Sequence, residues 1–146
     1  MTDESGLDVV MLLCDSAQVA GGKLYVLGGG WSQYVLPHQP LTMALAVKMS
    51  IPWDRANHRF NMAARLVTDD GEAVLGKESG EQIRAEGQVE VGRPVGLKPG
   101  EYLDAPFVLN FNGVTLDVGG YVWELWVDDA VEAKSRFRVR QPPSVG

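Results

Sequence analysis

Two segments near the C-terminus, Tyr121-Val122-Trp123-Glu124-Leu125-Trp126-Val127 and Ala133-Lys134-Ser135-Arg136-Phe137-Arg138-Val139, decide how this chain folds. Both alternate with period two, which puts successive side chains on opposite faces, so each reads as a strand and the stretch from Gly119 to Val139 as a hairpin. The second segment is explicit about its faces: Ala133, Ser135, Phe137 and Val139 form an apolar row, and Lys134, Arg136, Arg138 and Arg140 a basic one. Unpaired charges do not enter a core, so the basic row faces water. A two-residue turn at Asp129-Ala130 would set Trp123 against Arg136 and Leu125 against Lys134, on the wrong faces. A one-residue slip flips every side chain, so the pattern predicts an odd-numbered loop, Asp129 to Val131 or Asp128 to Glu132. Trp123 is then expected opposite Phe137, Leu125 opposite Ser135 and Tyr121 opposite Val139, with Glu124 facing Arg136 and Trp126 facing Lys134 outside.

Working backwards, Leu41, Met43, Leu45, Val47, Met49 and Ile51 alternate with Thr42, Ala44, Ala46, Lys48 and Ser50, the clearest long strand in the chain. Phe60, Met62, Ala64 and Leu66 alternate in the same way, and the pair is expected to form a hairpin around Pro52-Trp53-Asp54-Arg55-Ala56-Asn57. Val9 to Cys14 is apolar on both faces, the pattern of a central strand covered on each side, and Asp15-Ser16 supplies turn chemistry after it. Lys23 to Leu27 reads as a strand, interrupted by Gly28-Gly29-Gly30, where a bulge, a bend or a close backbone approach is expected. Asp70-Gly71 signals a two-residue turn that pairs Val67 with Val74. Gly76 to Gly87 reads as a polar loop and Gln88 to Val91 as a short strand. Phe107, Leu109 and Phe111 alternate up to Asn112-Gly113, a further turn signal. No window shows helical spacing, so no helix longer than about two turns is expected. About eight strands with frequent turn signals predict an all-β fold, an antiparallel β-sandwich spanning 8–140, with residues 1–7 as a disordered N-terminus and 141–146 as a flexible Pro-containing tail.

At 146 residues, 45% hydrophobic and 22% charged, the chain suits one soluble domain. The net charge of −6 and a pI near 4.8 point away from nucleic acid, which needs a clustered positive surface. A single cysteine makes no internal disulfide. The acidic start and the short apolar run at Val9–Cys14 do not suit a signal peptide, and no stretch is long enough for a membrane helix, so a cytoplasmic protein is expected.

Motifs that carry chemistry are sparse. Leu13-Cys14-Asp15-Ser16-Ala17 is like the Asp-Ser/Thr-Gly loop of dimeric aspartic proteases, but Ala17 stands where the glycine is needed. Cys14 with His38 or His58 would make a nucleophile and base, yet a cysteine in an apolar strand is ordinarily inert core. These three residues lack the paired spacing of a metal site, and neither Gly28-Gly29-Gly30 nor Gly22-Lys23 fits a nucleotide loop. Asp104, Asp117, Asp128, Asp129 and Glu132 read as solvated loop acids. Trp31 and Trp53 sit beside turn chemistry and are the candidate binding residues, as aromatic anchors projecting from loops. No catalytic residue, cofactor or metal is expected.

Leu13-Cys14-Asp15, Gly22-Lys23-Leu24, Leu27-Gly28-Gly29-Gly30-Trp31, Asp69-Asp70-Gly71 and Gly120-Tyr121 together resemble an uncharacterised bacterial family of small β-sandwich proteins, a domain of unknown function. The resemblance spans nearly the whole chain and implies a β-sandwich of bacterial, cytoplasmic origin, with no activity attached. The chain thus reads as a non-catalytic protein-interaction or assembly module with a protein partner, self-association included. A small-ligand or carbohydrate-binding sandwich is the alternative, and a small hydrolase comes third.

Overall fold

The computed structural model of the chain describes residues 6–37 and 39–144. Among these residues nine strands form two sheets. β1 (Asp8–Ala20), β2 (Lys23–Gly29), β4 (Leu41–Pro52) and β7 (Tyr102–Val114) make the first, in the order β2-β1-β4-β7. β3 (Gln33–Val35), β5 (Arg59–Thr68), β6 (Arg84–Glu90), β8 (Gly119–Val127) and β9 (Ala130–Arg140) make the second, in the order β3-β9-β8-β5-β6. All pairings are antiparallel except β3 with β9. The only helical element among the described residues is the 3-10 turn Trp53–Arg55. Of the expected disordered N-terminus, residues 1–5 lie outside the described residues, and Leu7 is buried in the core. Gln141–Ser144 carries no regular structure; residues 145 and 146 of the expected tail lie outside the description.

The sheets pack inner face to inner face as a sandwich. β4 supplies the keel: Leu41, Met43, Leu45, Val47, Met49 and Ile51, the row expected to be buried, are all at most 1% exposed. Each such side chain contributes about 1.5–3 kcal/mol by leaving water. Phe60, Met62, Ala64 and Leu66 of β5 meet them from the other side. The expected β4–β5 hairpin is therefore wrong: β4 pairs with β1 and β7, β5 with β6 and β8. Two rows that both seek apolar company are satisfied across a sandwich as well as along a sheet.

Other local expectations shift for identifiable reasons. β1 does not turn at Asp15-Ser16 but runs to Ala20, and the chain reverses at Gly21-Gly22, both with positive φ. β7 does not reverse at Asn112-Gly113 but continues to Val114 through a bulge there, with Gly113 at a positive φ of 73°. The Asp70-Gly71 turn exists, but it sets Val67 opposite Ala73, one residue from the expected Val74. β6 begins at Arg84, inside the expected loop. β3, three residues too short to show a period, was not foreseen.

The final hairpin is where the charge constraint acts. Lys134, Arg136, Arg138 and Arg140 all face solvent, as expected. The loop, however, is not odd-numbered: β8 and β9 are joined by Asp128-Asp129, with Val127 opposite Ala130 and Trp126 opposite Val131. Carried on, that register would bring Trp123 against Lys134. A bulge intervenes, because Leu125 faces Ala133 and Glu132 is left over, so the parity is corrected inside the strand. The faces are those expected and the partners are displaced by two residues. Tyr121 faces Phe137, Trp123 faces Ser135, and Glu124 faces Lys134 instead of Arg136. Trp123 is fully buried, donates its indole N–H to Met43 Sδ at 3.3 Å, and packs on Phe111 at 4.2 Å between ring centroids.

Two charge-reversal cycles check this register. Glu124 and Lys134 lie 3.9 Å apart on a partly exposed face, so reversing both should recover a coupling of a few tenths of a kcal/mol, with none for Glu124 and Arg136. Trp123→Ala should cost about 3–5 kcal/mol in denaturant unfolding.

Candidate functional site

The two outer faces of the sandwich differ in kind. On the second sheet, the row from Lys134 to Arg140 is joined by Arg59 and Arg65 of β5 and Arg84 of β6. Most of these cations are engaged within the chain. Arg59 pairs with Glu90 at 3.4 Å, Arg84 with Glu86 at 3.2 Å, and Arg138 with Asp69 at 3.2 Å. Arg65 lies over the Trp126 ring, 5.1 Å from its centroid, and Arg140 donates to Gln33. This is a solvated antiparallel face laced with exposed ion pairs.

The outer face of the first sheet is apolar. On β1, Val9, Met11 and Leu13 point into the core, which leaves Val10 and Leu12 outward, 58% and 39% exposed. Beside them on β4, Ala44 and Ala46 form with Cys14 a small second cluster, against which Ala17, Leu24 and Val108 pack. The expectation that Val9–Cys14 is covered on both sides therefore holds at Cys14, which is fully buried, and fails at Val10 and Leu12. Lys48 is the only cation on the β1–β4 part of this face, with Asp8 and Asp104 at one end.

The glycine-rich motifs support these faces. Gly28 has a positive φ of 62°, and a Cβ built there would strike the Asp15 carboxylate. A Cβ on Gly29 would lie 2.8 Å from Leu12 Cδ2 and 2.9 Å from Val26 Cγ1, so both side chains close over bare backbone. On the second sheet Asp69 occupies the place of a Cβ on Gly120 while accepting from Arg138. The separated pieces Cys14-Asp15 with Gly28-Gly29, and Asp69 with Gly120, are thus two carboxylate-over-glycine contacts, which a list of turn signals does not reveal.

Trp31 and Trp53 are not brought together. Trp31 follows β2 and lies against Tyr34 and Phe137, with ring centroids 5.9 Å away in both cases. Trp53 follows β4; it donates its indole N–H to Leu97 O at 3.2 Å, and Arg93 stacks on its ring at 3.6 Å. With Tyr102, Asp54 and Glu101 it lines a cleft of about 420 Å³. Cys14 is wholly buried and its thiol lies 3.4 Å from Ala44 O, as donor. Burial pushes the thiol above its ordinary range, and the neighbouring Asp15 carboxylate adds to the effect. His38 lies outside the described residues, and His58, just before β5 of the other sheet, lies 3.4 Å from Asp128. Asp128 also accepts from the Asn61 N–H at 3.0 Å, and Asp117 accepts from Lys77. Among the described residues no three His, Cys, Asp or Glu side chains gather as metal ligands. Among the described residues no helix is long and apolar enough to cross a membrane.

The model of one protein family, described as a family of unknown function (DUF6941), matches residues 9–140. No curated protein matches the chain.

Two outcomes follow from these contacts. Gly120→Ala should displace the Asp69 carboxylate from Arg138 and cost about 1 kcal/mol, and most of that cost should vanish in an Asp69→Ala background, as a double-mutant cycle by denaturant unfolding would register. An unfolded Cys14 thiol ionises near 9.0 and the folded one higher, so the unfolded chain loses its proton first and stability falls as pH rises past that value. Unfolding free energies measured between pH 7 and 10 should show this decline, and Cys14→Ala should remove its share of it.

Proposed function

We propose that the chain, which belongs to that family of unknown function, works as a non-catalytic protein-interaction or assembly module, and that its contact surface is the outer face of the four-stranded sheet. The observation that carries this reading is the exposed apolar side chains on this sheet, Val10 and Leu12 of β1 with Val26 of β2 beside Leu12 over Gly29. Apolar patches of this kind on a soluble domain mark contact sites more often than not. Most cations of the opposite face are engaged within the chain, which leaves that face less to offer a partner. The buried, protonated thiol of Cys14 supports a structural over a nucleophilic role. The reduced single cysteine and the acidic charge are compatible with the bacterial cytoplasm, which we take as its compartment.

A second reading, a carbohydrate-binding sandwich, is favoured by one observation: the cleft that Trp53 and Tyr102 line together with Asp54 and Glu101. Aromatic rings beside carboxylates suit stacking on a sugar ring and bonding to its hydroxyls. Trp53 would be its anchor, and Trp31 would have no part in it.

The experiment is a pull-down from the source cell with three baits. Wild type and Trp53→Ala should capture the same protein, and Val10→Lys/Leu12→Lys, which keeps the fold because both side chains already reach water, should lose it. Equal capture by all three baits overturns the assignment of the face. Quenching of tryptophan fluorescence by soluble oligosaccharides, abolished in Trp53→Ala, would favour the second reading.

A further inference from the structure

We propose that β6 is a self-pairing edge: it joins β6 of a second copy of the chain, antiparallel and about a two-fold axis at Gly87, so that the two five-stranded sheets continue as one. This goes beyond the reading of the first sheet's outer face and does not rest on it.

Four strands end the two sheets, and three of them are blunted. β2 is interrupted at Gly28, whose φ is positive, β3 has three residues, and β7 carries Pro106 in its middle and a bulge at Asn112-Gly113. Such devices stop an edge from recruiting another strand. β6 has no proline and no bulge, and among the described residues it pairs with β5 alone. Leu66 donates to Ile83 O at 3.0 Å in the register of the β5–β6 ladder, which turns the odd-numbered amides of β6 toward β5. Direction alternates along an antiparallel ladder, so the amides and carbonyls of Arg84, Glu86, Gln88 and Glu90 point away from β5.

Self-pairing has one acceptable register. Arg84, Glu86, Gln88 and Glu90 lie on the solvent face, while Ala85, Gly87 and Val89 stand level with Ala64, Met62 and Phe60 on the core face. A displacement by one residue would set solvent-face side chains against core-face ones. Centred on Gly87, the pairing puts Arg84 opposite the partner's Glu90, Glu86 opposite the partner's Gln88 and Ala85 opposite the partner's Val89. A shift of two residues either way opposes Glu86 to the partner's Glu86 or to the partner's Glu90. The strand is therefore complementary in charge to its own reverse, and the outward amides are the ones this register bonds. Arg84 already pairs with Glu86 at 3.2 Å and Glu90 with Arg59 at 3.4 Å, so each new cross-strand pair joins two existing ones in a chain of alternating sign.

The core side adds apolar contact. Gly87 holds a core-face position without a side chain, and a Cβ there would meet nothing within 4 Å. Beside it a cavity of about 160 Å³ opens between β6 and β7, lined by Met62, Ala85, Val89, Phe107 and Leu109. Phe107 and Leu109 pack against the core yet are only half-buried at this mouth. A second β6 laid alongside brings the partner's Val89 over it and removes apolar surface from water.

Sedimentation velocity of the full chain from about 1 to 200 µM tests this. The expected species at the upper end has twice the 15.9 kDa mass of the chain. Gln88→Pro, which removes an outward N–H and keeps the β5 ladder, should weaken association about tenfold or more. Arg84→Glu and Glu90→Arg should each weaken it several-fold alone, and an equimolar mixture of the two should associate as the wild type does, because each supplies the charge that the other opposes. Arg136→Glu, elsewhere on the same sheet, should leave association intact. In a Cys14→Ala background, Gly87→Cys should give a disulfide-linked dimer on mild oxidation, since the axis sets that position opposite itself, and Ser79→Cys in the preceding loop should not. A wild type that stays monomeric throughout overturns the proposal, and so does a dimer indifferent to Gln88→Pro and to both charge variants. Val10→Lys/Leu12→Lys should dimerise like the wild type while losing the captured protein of the pull-down. A dimer lost in that variant overturns the assignment to β6, and a dimer kept while capture is unaffected overturns the reading of the outer face alone.

Discussion

Four cations on one strand cannot be taken out of water, and the second sheet is arranged around that. Lys134, Arg136, Arg138 and Arg140 must lie outward, so β9 has one permitted face, while the tight Asp128-Asp129 turn would impose the other. The leftover Glu132 resolves the conflict by restoring parity within the strand. With β9 fixed, β8 is fixed, and with it the direction of Trp123, whose indole reaches across the sandwich to Met43 and Phe111. The tie between the two sheets is thus set by a charge pattern that never touches the core.

The sheets meet solvent by opposite means. The second covers its backbone with long charged side chains, whose stems lie along the surface and whose heads pair with one another, so that buried Val67 and Val122 sit beneath polar groups. The first has small side chains at Ala44, Ala46 and Cys14, which are buried beneath Ala17, Leu24 and Val108, and its bare backbone at Gly29 lies under Leu12 and Val26.

What could be read from the letters was which face each side chain takes. The β4 row, the β5 row and the basic row all lie where alternation puts them, because period two reports burial directly. Which strand lies beside which was not readable: β4 and β5 point into one core from different sheets, and alternation is blind to that difference. The turn signals at Asp15-Ser16 and Asn112-Gly113 did not end their strands: β1 goes on in its ladder with β2, and β7 takes up Asn112-Gly113 as a bulge against β4. The apolar face was half legible. Val9–Cys14 showed apolar residues on both sides, but only the sheet order shows that one of those sides has no layer above it. The Asp15–Gly28 and Asp69–Gly120 contacts join positions far apart in the chain, and no local pattern announces them.

The placement of β4 also governs the order in which the protein can be made. Its central Leu45 is flanked by Leu13 on one side and by Leu109 on the other, so the first sheet stays unfinished until the chain has been synthesised past β7. Pairing across such separations is slow, roughly milliseconds to seconds in domains of this topology. On the ribosome β1, β2 and β4 emerge first, and the keel row of β4 stays bare until β5 and β8 of the second sheet have followed to cover it.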